Sequence, residues 1–373
     1  MTVEHHHEQH FLLNRNLDEL YVSVAIRAFA YALIGIFIPI YLYELGYSLR
    51  VIFLFFAGYS FVRGAMKVPA VKFGARYGFR HMILLTVPLT IIAFLMLYSL
   101  PQYHWPLWLI TIIYGVATSF YWVGYHFDFA TSSNRQNRGA QVGLARIIQT
   151  LVSAASPFVG GLILLHYGFS TLFILGSGLL FLSAFPLFLS PDKYEKIDIH
   201  FKEIWKEQAS WEALSFVAWG IERGVLLFVW PIILFIQLGN FEEVGFVASV
   251  SLGASVITTV LVGVFINRRP RTFLRVGAVF SSFSWVLRGM ATTVLQFSFV
   301  DVFYGISRIF VDIPFDTISM DKANTTSKIR FIVFRGSIVH FSRAAFFIGL
   351  AIWGDLAIGL FTSAAGVLLH FFL

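Results

Sequence analysis

The chain of 373 residues contains no cysteine, which excludes disulfides, thiolate nucleophiles and cysteine-ligated metals. It is also short of charge. Only 13% of its residues are charged and 58% are hydrophobic, whereas soluble domains carry about 25% and about 45–50%. That balance, with a mean hydropathy of +0.76, argues against a water-soluble enzyme and for a membrane protein. No glycine-rich phosphate loop ending in Lys-Ser or Lys-Thr occurs, so nothing supports transport driven by ATP. The first 20 residues include Glu4, Glu8, Asp18 and Glu19, the wrong character for the basic start of a cleaved signal peptide. His5, His6, His7 and His10 read as a polar tail or a cloning remnant sooner than as a metal site. No metal and no cofactor is expected.

What the sequence has in abundance is apolar runs. One spanning helix needs about 20 residues, so twelve would use about 240. Breakers and runs place helices at 20–43, 49–70, 82–100, 107–127, 140–165 and 172–189, then at 211–237, 244–266, 273–295, 297–319, 329–352 and 356–373. Residues 191–210 form the one long charged insert, with Ile199, Ile204 and Trp205 spaced as in a short interfacial helix. The expected organisation is a tail (1–19), a first six-helix unit (20–190), a linker (191–210) and a second six-helix unit (211–373).

The net charge of +7 reads as topology, not as nucleic-acid binding. Lys67, Lys72, Arg76 and Arg80, then Arg135 and Arg138, Arg268, Arg269, Arg271 and Arg275, the lysines of the linker, and Lys322, Lys328 and Arg330 all fall in or beside connectors on one side. The alternate connectors hold almost no Lys or Arg. The positive-inside rule then puts both termini in the cytoplasm, and the absence of organelle targeting points to the plasma membrane. Tyr103, His104 and Trp105 fall at the outer interface as anchors.

The two units repeat. Tyr114-Gly115 through Phe127-Asp128 lines up with Tyr304-Gly305 through Phe315-Asp316, with Tyr114 and Phe120 each 190 residues before Tyr304 and Phe310. Each stretch leads to a polar loop and then a helix with an early arginine, Arg146 or Arg335. The first and seventh helices both carry an arginine and then a proline, Arg27 with Pro39 and Arg223 with Pro231. Internal symmetry of this kind is how many transporters are built.

At these residues the chain resembles the major facilitator superfamily over essentially its whole length. That family's signature after the second helix has a glycine, an Asp-Arg pair, a glycine and two basic residues. Here Gly74, Arg76, Gly78 and Arg80 match, and Ala75 stands in place of the aspartate. The second copy keeps Gly263, Arg268 and Arg271, with Asn267 for the acid and Pro270 for the glycine. The fifth helix is similar to the family's antiporter motif at Gly143, Pro157, Gly160 and Gly161, with Val152 and Ser156 replacing glycines; close packing explains the same pattern. The resemblance implies an all-α polytopic membrane protein of 12 transmembrane helices in two pseudo-symmetric six-helix bundles. It also implies gating by Arg76, Gly78, Arg80, Arg268 and Arg271, and a central cavity lined by helices 1, 4, 5, 7, 8, 10 and 11.

A charge at the bilayer centre costs about 2.5–3.5 kcal/mol, so it survives where it finds a partner, a cavity or a task. Arg27, Arg146, Glu222, Arg223, Arg308, Asp312 and Arg343 lie within expected spans. Asp301, Gly305, Arg308, Asp312 and Asp316 fall on one helical face. Five arginines against Glu222 and Asp312 favour an anionic or zwitterionic substrate, gripped by guanidinium forks. The aromatic run Tyr121, Trp122, Tyr125 and His126 adds stacking surfaces. The substrate-binding candidates are therefore Arg27, Tyr121, Trp122, Tyr125, His126, Arg146, Arg223, Arg308 and Arg343. Glu222 and Asp312 are the candidates for proton coupling, with a static ion pair to an arginine of helix 1 or 11 as the alternative for Glu222 and a simple Arg308–Asp312 pair for Asp312. The function expected is secondary active transport of a small organic solute by alternating access. A drug or lipid efflux antiporter and a transport-inactive scaffold or sensor are the alternatives. The expected partners are a small-molecule solute, a proton or other coupling ion and the lipid bilayer; a monomer without nucleic acid is expected.

Overall fold

The computed structural model describes residues 15–132, 138–189, 212–266, 269–325 and 328–373, with the backbone alone at a few helical positions. The four N-terminal histidines, the 191–210 insert and Arg268 lie outside the described residues, as does the side chain of Arg146. Among the described residues there are helices, turns and no strand.

The helices are α1 (Arg15–Gly35), α2 (Ile38–Glu44), α3 (Leu49–Ala65), α4 (Lys67–Tyr77), α5 (Phe79–Tyr98), α6 (Leu107–Ser132) and α7 (Arg138–Ala184). They continue as α8 (Ala213–Gly224), α9 (Trp230–Leu238), α10 (Phe241–Ile266), α11 (Pro270–Arg288), α12 (Val294–Thr325), α13 (Lys328–Trp353) and α14 (Leu356–Val367). Among the described residues eight helical stretches are long and apolar enough to cross a membrane, and α3 with α4 adds a ninth, bent by 47°. A shorter apolar stretch, Leu356–Phe372, closes the chain. The stretch Ile147–Phe188 runs for 42 residues. At 1.5 Å per residue a straight helix of that length would reach about 63 Å, twice a hydrocarbon core of about 30 Å. Gly168, at φ 73°, breaks it in two, in a conformation that a side chain would strain. Between α8 and α9 the chain loosens into a π turn, Val225–Val229.

Boundaries differ from expectation where a basic residue is buried. The second span was expected to end at 70 with Lys67 near its edge; instead Lys67 opens α4 and is 7% exposed. The expected connector after it shrinks to Gly78, at φ 96°, and Arg76, Arg80 and Arg271 are helical rather than in loops. The ninth span stops at Arg288 instead of 295, and the tenth starts at Val294.

In lipid the helices gain little from hiding apolar surface, so close approach and polar contacts hold them together. α1 packs on α7, α5 and α3 on α6, α11 and α10 on α12, and α8 on α13. The chain before the central insert meets the chain after it where α3 and α4 pack on α13, α7 on α10, and α2 on α9 and the π turn. At the α7–α10 crossing a Cβ on Gly161 would strike the backbone of Phe241, and one on Gly245 the carbonyl of Pro157. The N–H of Phe158 donates to Ser249 Oγ at 2.9 Å. The Ser156–Gly161 run is thus a packing face. Gly115 of α6 lies against Tyr59 and Val62 of α3, and Gly305 of α12 against Ser251 of α10.

Candidate functional site

On α12 the charged face expected from the sequence is present, and each member has its own partner. Asp312 accepts from Arg308 Nε at 3.0 Å, one turn away, and from Arg223 of α8. Asp316 lies 3.5 Å from Arg335 of α13. Asp301 accepts from Trp230 Nε1 at 3.1 Å and from Arg288 Nε at 2.9 Å. Arg288 was not singled out, because the ninth helix is peripheral in the resembled family. Its guanidinium carbon sits 3.9 Å from the Tyr304 ring centre, 4.3 Å from that of Trp285 and 4.5 Å from that of Trp230.

Adjacent residues on a helix diverge by about 100°, and Glu222 and Arg223 do so. Arg223 turns to Asp312, while Glu222 accepts from Trp285 Nε1 at 3.2 Å and Tyr304 OH at 3.0 Å. The ion pair with an arginine of the first or eleventh span is not formed; neutral donors from α11 and α12 replace it.

Arg27 on α1 takes a different course. It donates to Thr86 Oγ1 at 2.9 Å and Tyr31 OH at 3.3 Å, and lies 3.8 Å from the Tyr121 ring centre. At 1% exposure it fills the interior among α1, α5 and α6. Tyr121 stacks on Tyr125 at 6.1 Å, and Trp122 meets His126 at 5.8 Å. Gln149 Nε2 of α7 donates to Tyr125 OH at 3.0 Å. The aromatic stripe therefore forms one surface with Arg27 at its base.

The residues that sequence reasoning missed lie where α3 and α4 meet α13. Arg63 of α3 donates to Tyr59 OH at 3.3 Å. The Lys67 stem runs past Gly336, where an added Cβ would stand 3.1 Å from Lys67 Cε. His340 is 6% exposed and Arg343 3%; Arg343 Nε donates to the carbonyl of Gly220 at 2.9 Å. Of this group only Arg343 had been named as a site residue. The available signal was spacing: Arg63 and Lys67 at i,i+4, and His340 and Arg343 at i,i+3, each put two basic groups on one face.

Near the expected gate, Arg80 lies 3.3 Å from Asp128 of α6 and 4.0 Å from Glu19 of α1. Acids from two other helices thus sit at the signature's arginine although Ala75 has replaced its aspartate. Arg76 and Arg271 are exposed. At the other end of the bundle Phe56 stacks on Phe228 at 4.0 Å, and Arg50 Nε donates to the carbonyl of Ala351 at 3.0 Å.

A model of the Major Facilitator Superfamily matches residues 20–352. The chain belongs to the major facilitator superfamily. No match was found among curated proteins. Among solved structures it is similar to a POT family transporter in complex with 5-aminolevulinic acid, at a TM-score of 0.75 and 11% identity over 96% of this chain and 94% of that one. It is also similar to the nucleoside transporter NupG, at 0.69 and 13% over 95% and 97%. At such identities the likeness is one of fold. This member of the superfamily is a multi-pass membrane transporter.

Proposed function

We propose that this superfamily member is a secondary transporter for a small organic solute, anionic or zwitterionic, that works by alternating access. In this reading twelve spans form two six-helix halves, 20–190 and 211–373, that rock about a midplane site. Both termini are cytoplasmic, the membrane is the plasma membrane, and the working unit is a monomer.

The observation that carries the proposal is that costly groups from both halves face the protein interior: Arg27, Arg288 and Asp301 at 1% exposure, Arg343 at 3% and Asp312 at 5%. The packing of α2 on α9 with the Phe56–Phe228 stack supports a state closed at the expected outer end. A solute with both an amine and a carboxylate, like the 5-aminolevulinic acid of the POT family structure, suits an interior that holds basic groups on α3, α4 and α13 and an acid, Asp312, on α12. We assign the coupling proton to Glu222, because two guanidinium groups already serve Asp312 whereas Glu222 has neutral donors only.

Protein reconstituted into liposomes tests this. An imposed proton gradient drives uptake of a labelled carboxylate or amino acid, and Glu222→Gln abolishes the dependence on the gradient while counterflow exchange persists. Unchanged gradient dependence removes Glu222 from the coupling role. Absence of flux for every solute class returns the chain to the scaffold reading.

A further inference from the structure

Five basic side chains converge between the halves: Arg63 and Lys67, on either side of the α3–α4 bend, and Arg335, His340 and Arg343 on α13. Lys67 lies within electrostatic range of Arg63 and Arg335, and His340 of Arg63, Lys67 and Arg343. His126 of α6 faces the same group, in range of Lys67 and Arg335. Counter-charge is scarce. Asp316 pairs with Arg335, and among the described residues Arg63, Lys67, His340 and Arg343 form no ion pair. Among the described residues Arg63 Nε and His340 Nδ1, both buried, have no hydrogen-bond partner.

Buried cations without a partner are costly. The two sides of this cluster also come from different halves, so their like charges oppose close approach. The bend of 47° falls between Arg63 and Lys67, and broken spans of this kind line binding sites in transporters. Gly336 supplies the room in which Lys67 lies.

We infer that Arg63, Lys67, His340 and Arg343 bind a carboxylate or phosphate group, and that this anion is the counter-charge that lets α3–α4 and α13 close on each other. The bound group bridges the halves, with Arg63 and Lys67 holding it from one and His340 and Arg343 from the other. The inference deepens the transporter reading and rests on it: the anion is part of the carried solute.

Thermal unfolding in phosphatidylcholine nanodiscs tests the site, with inorganic phosphate, succinate and the neutral nucleoside uridine as probes. Phosphate or succinate raises the Tm of the wild-type chain by several degrees, and uridine does not. Lys67→Gln relieves the repulsion, so its Tm without any probe rises above that of the wild type while the anion-induced rise is lost. Gly336→Val displaces the lysine but keeps its charge; it loses the anion-induced rise without the gain in the unliganded state. No rise with either anion, or an equal rise in Lys67→Gln, overturns the inference. Nanodiscs doped with phosphatidylglycerol separate the two sources of phosphate: a rise from this lipid that soluble anions cannot add to makes the occupant a headgroup and overturns the solute assignment. Liposome flux keeps the two readings apart. Flux of a neutral solute that Lys67→Gln leaves unchanged removes the anion site and spares the transporter. An anion-induced rise without flux of any solute does the reverse.

Discussion

Arg27 and Arg288 are equally buried, each at 1% exposure, yet the two parts of the chain accommodate them by different chemistry. Arg27 rests on the face of Tyr121 and donates to two hydroxyls, with no carboxylate in reach among the described residues. Arg288 has three aromatic faces around it and Asp301 as well. Arg223 and Arg308, in the same later part, share Asp312. At Arg27 the positive charge is kept and spread over a ring and hydroxyls; at Arg288 it is cancelled. The difference teaches that equal burial leaves open how a guanidinium is balanced.

If this contrast is right, the later part is the more sensitive to loss of an acid. Asp301→Asn strands Arg288 and costs about 3–5 kcal/mol, the penalty for breaking a buried pair. The expected readout is a steep fall in the yield and thermal stability of purified protein, largely restored by Arg288→Met in the same chain. Full stability of Asp301→Asn alone would show that the aromatic cage suffices, and would erase the contrast.

Asp312→Asn is expected to cost less, about 2–4 kcal/mol, because Arg308 is 23% exposed and keeps access to a wetter space. Its distinctive mark is lost solute flux at a temperature where the protein remains folded. Smaller again, Arg27→Lys exchanges a flat, stacking cation for a compact ammonium and costs about 1–2 kcal/mol. Thr86→Val removes one hydroxyl partner of Arg27 for about 1 kcal/mol, and a larger loss in the unfolding profile would mean that the hydroxyls outweigh the rings.

The sequence carried the fold class because apolar runs and connector charge are properties of composition along the chain, and neither needs a partner to be read. It failed where charge changes meaning through a distant contact. Lys67 looks like a helix end on a hydropathy count, since the count penalises a cation whether or not something shields it, and Arg288 falls inside the expected span 273–295 with no partner to mark it. Gly336 and Asp301, at 269 and 13 residues' remove, decide the matter. The stripe on α12 was legible because helical period alone brings Asp301, Arg308, Asp312 and Asp316 to one face. That the stripe serves four different neighbours was not, and neither was the pairing of Glu222 with Trp285 and Tyr304 rather than with an arginine.

The loosened turn at Val225–Val229 holds more residues than an α-turn of the same height. Wind the same residues as regular α-helix and everything beyond them swings by about 100° relative to Glu222 and Arg223. Trp230 would then leave the Asp301 carboxylate that it now donates to. The extra residue therefore holds Trp230 in register with Asp301, and a one-residue deletion that restores regular winding keeps that register.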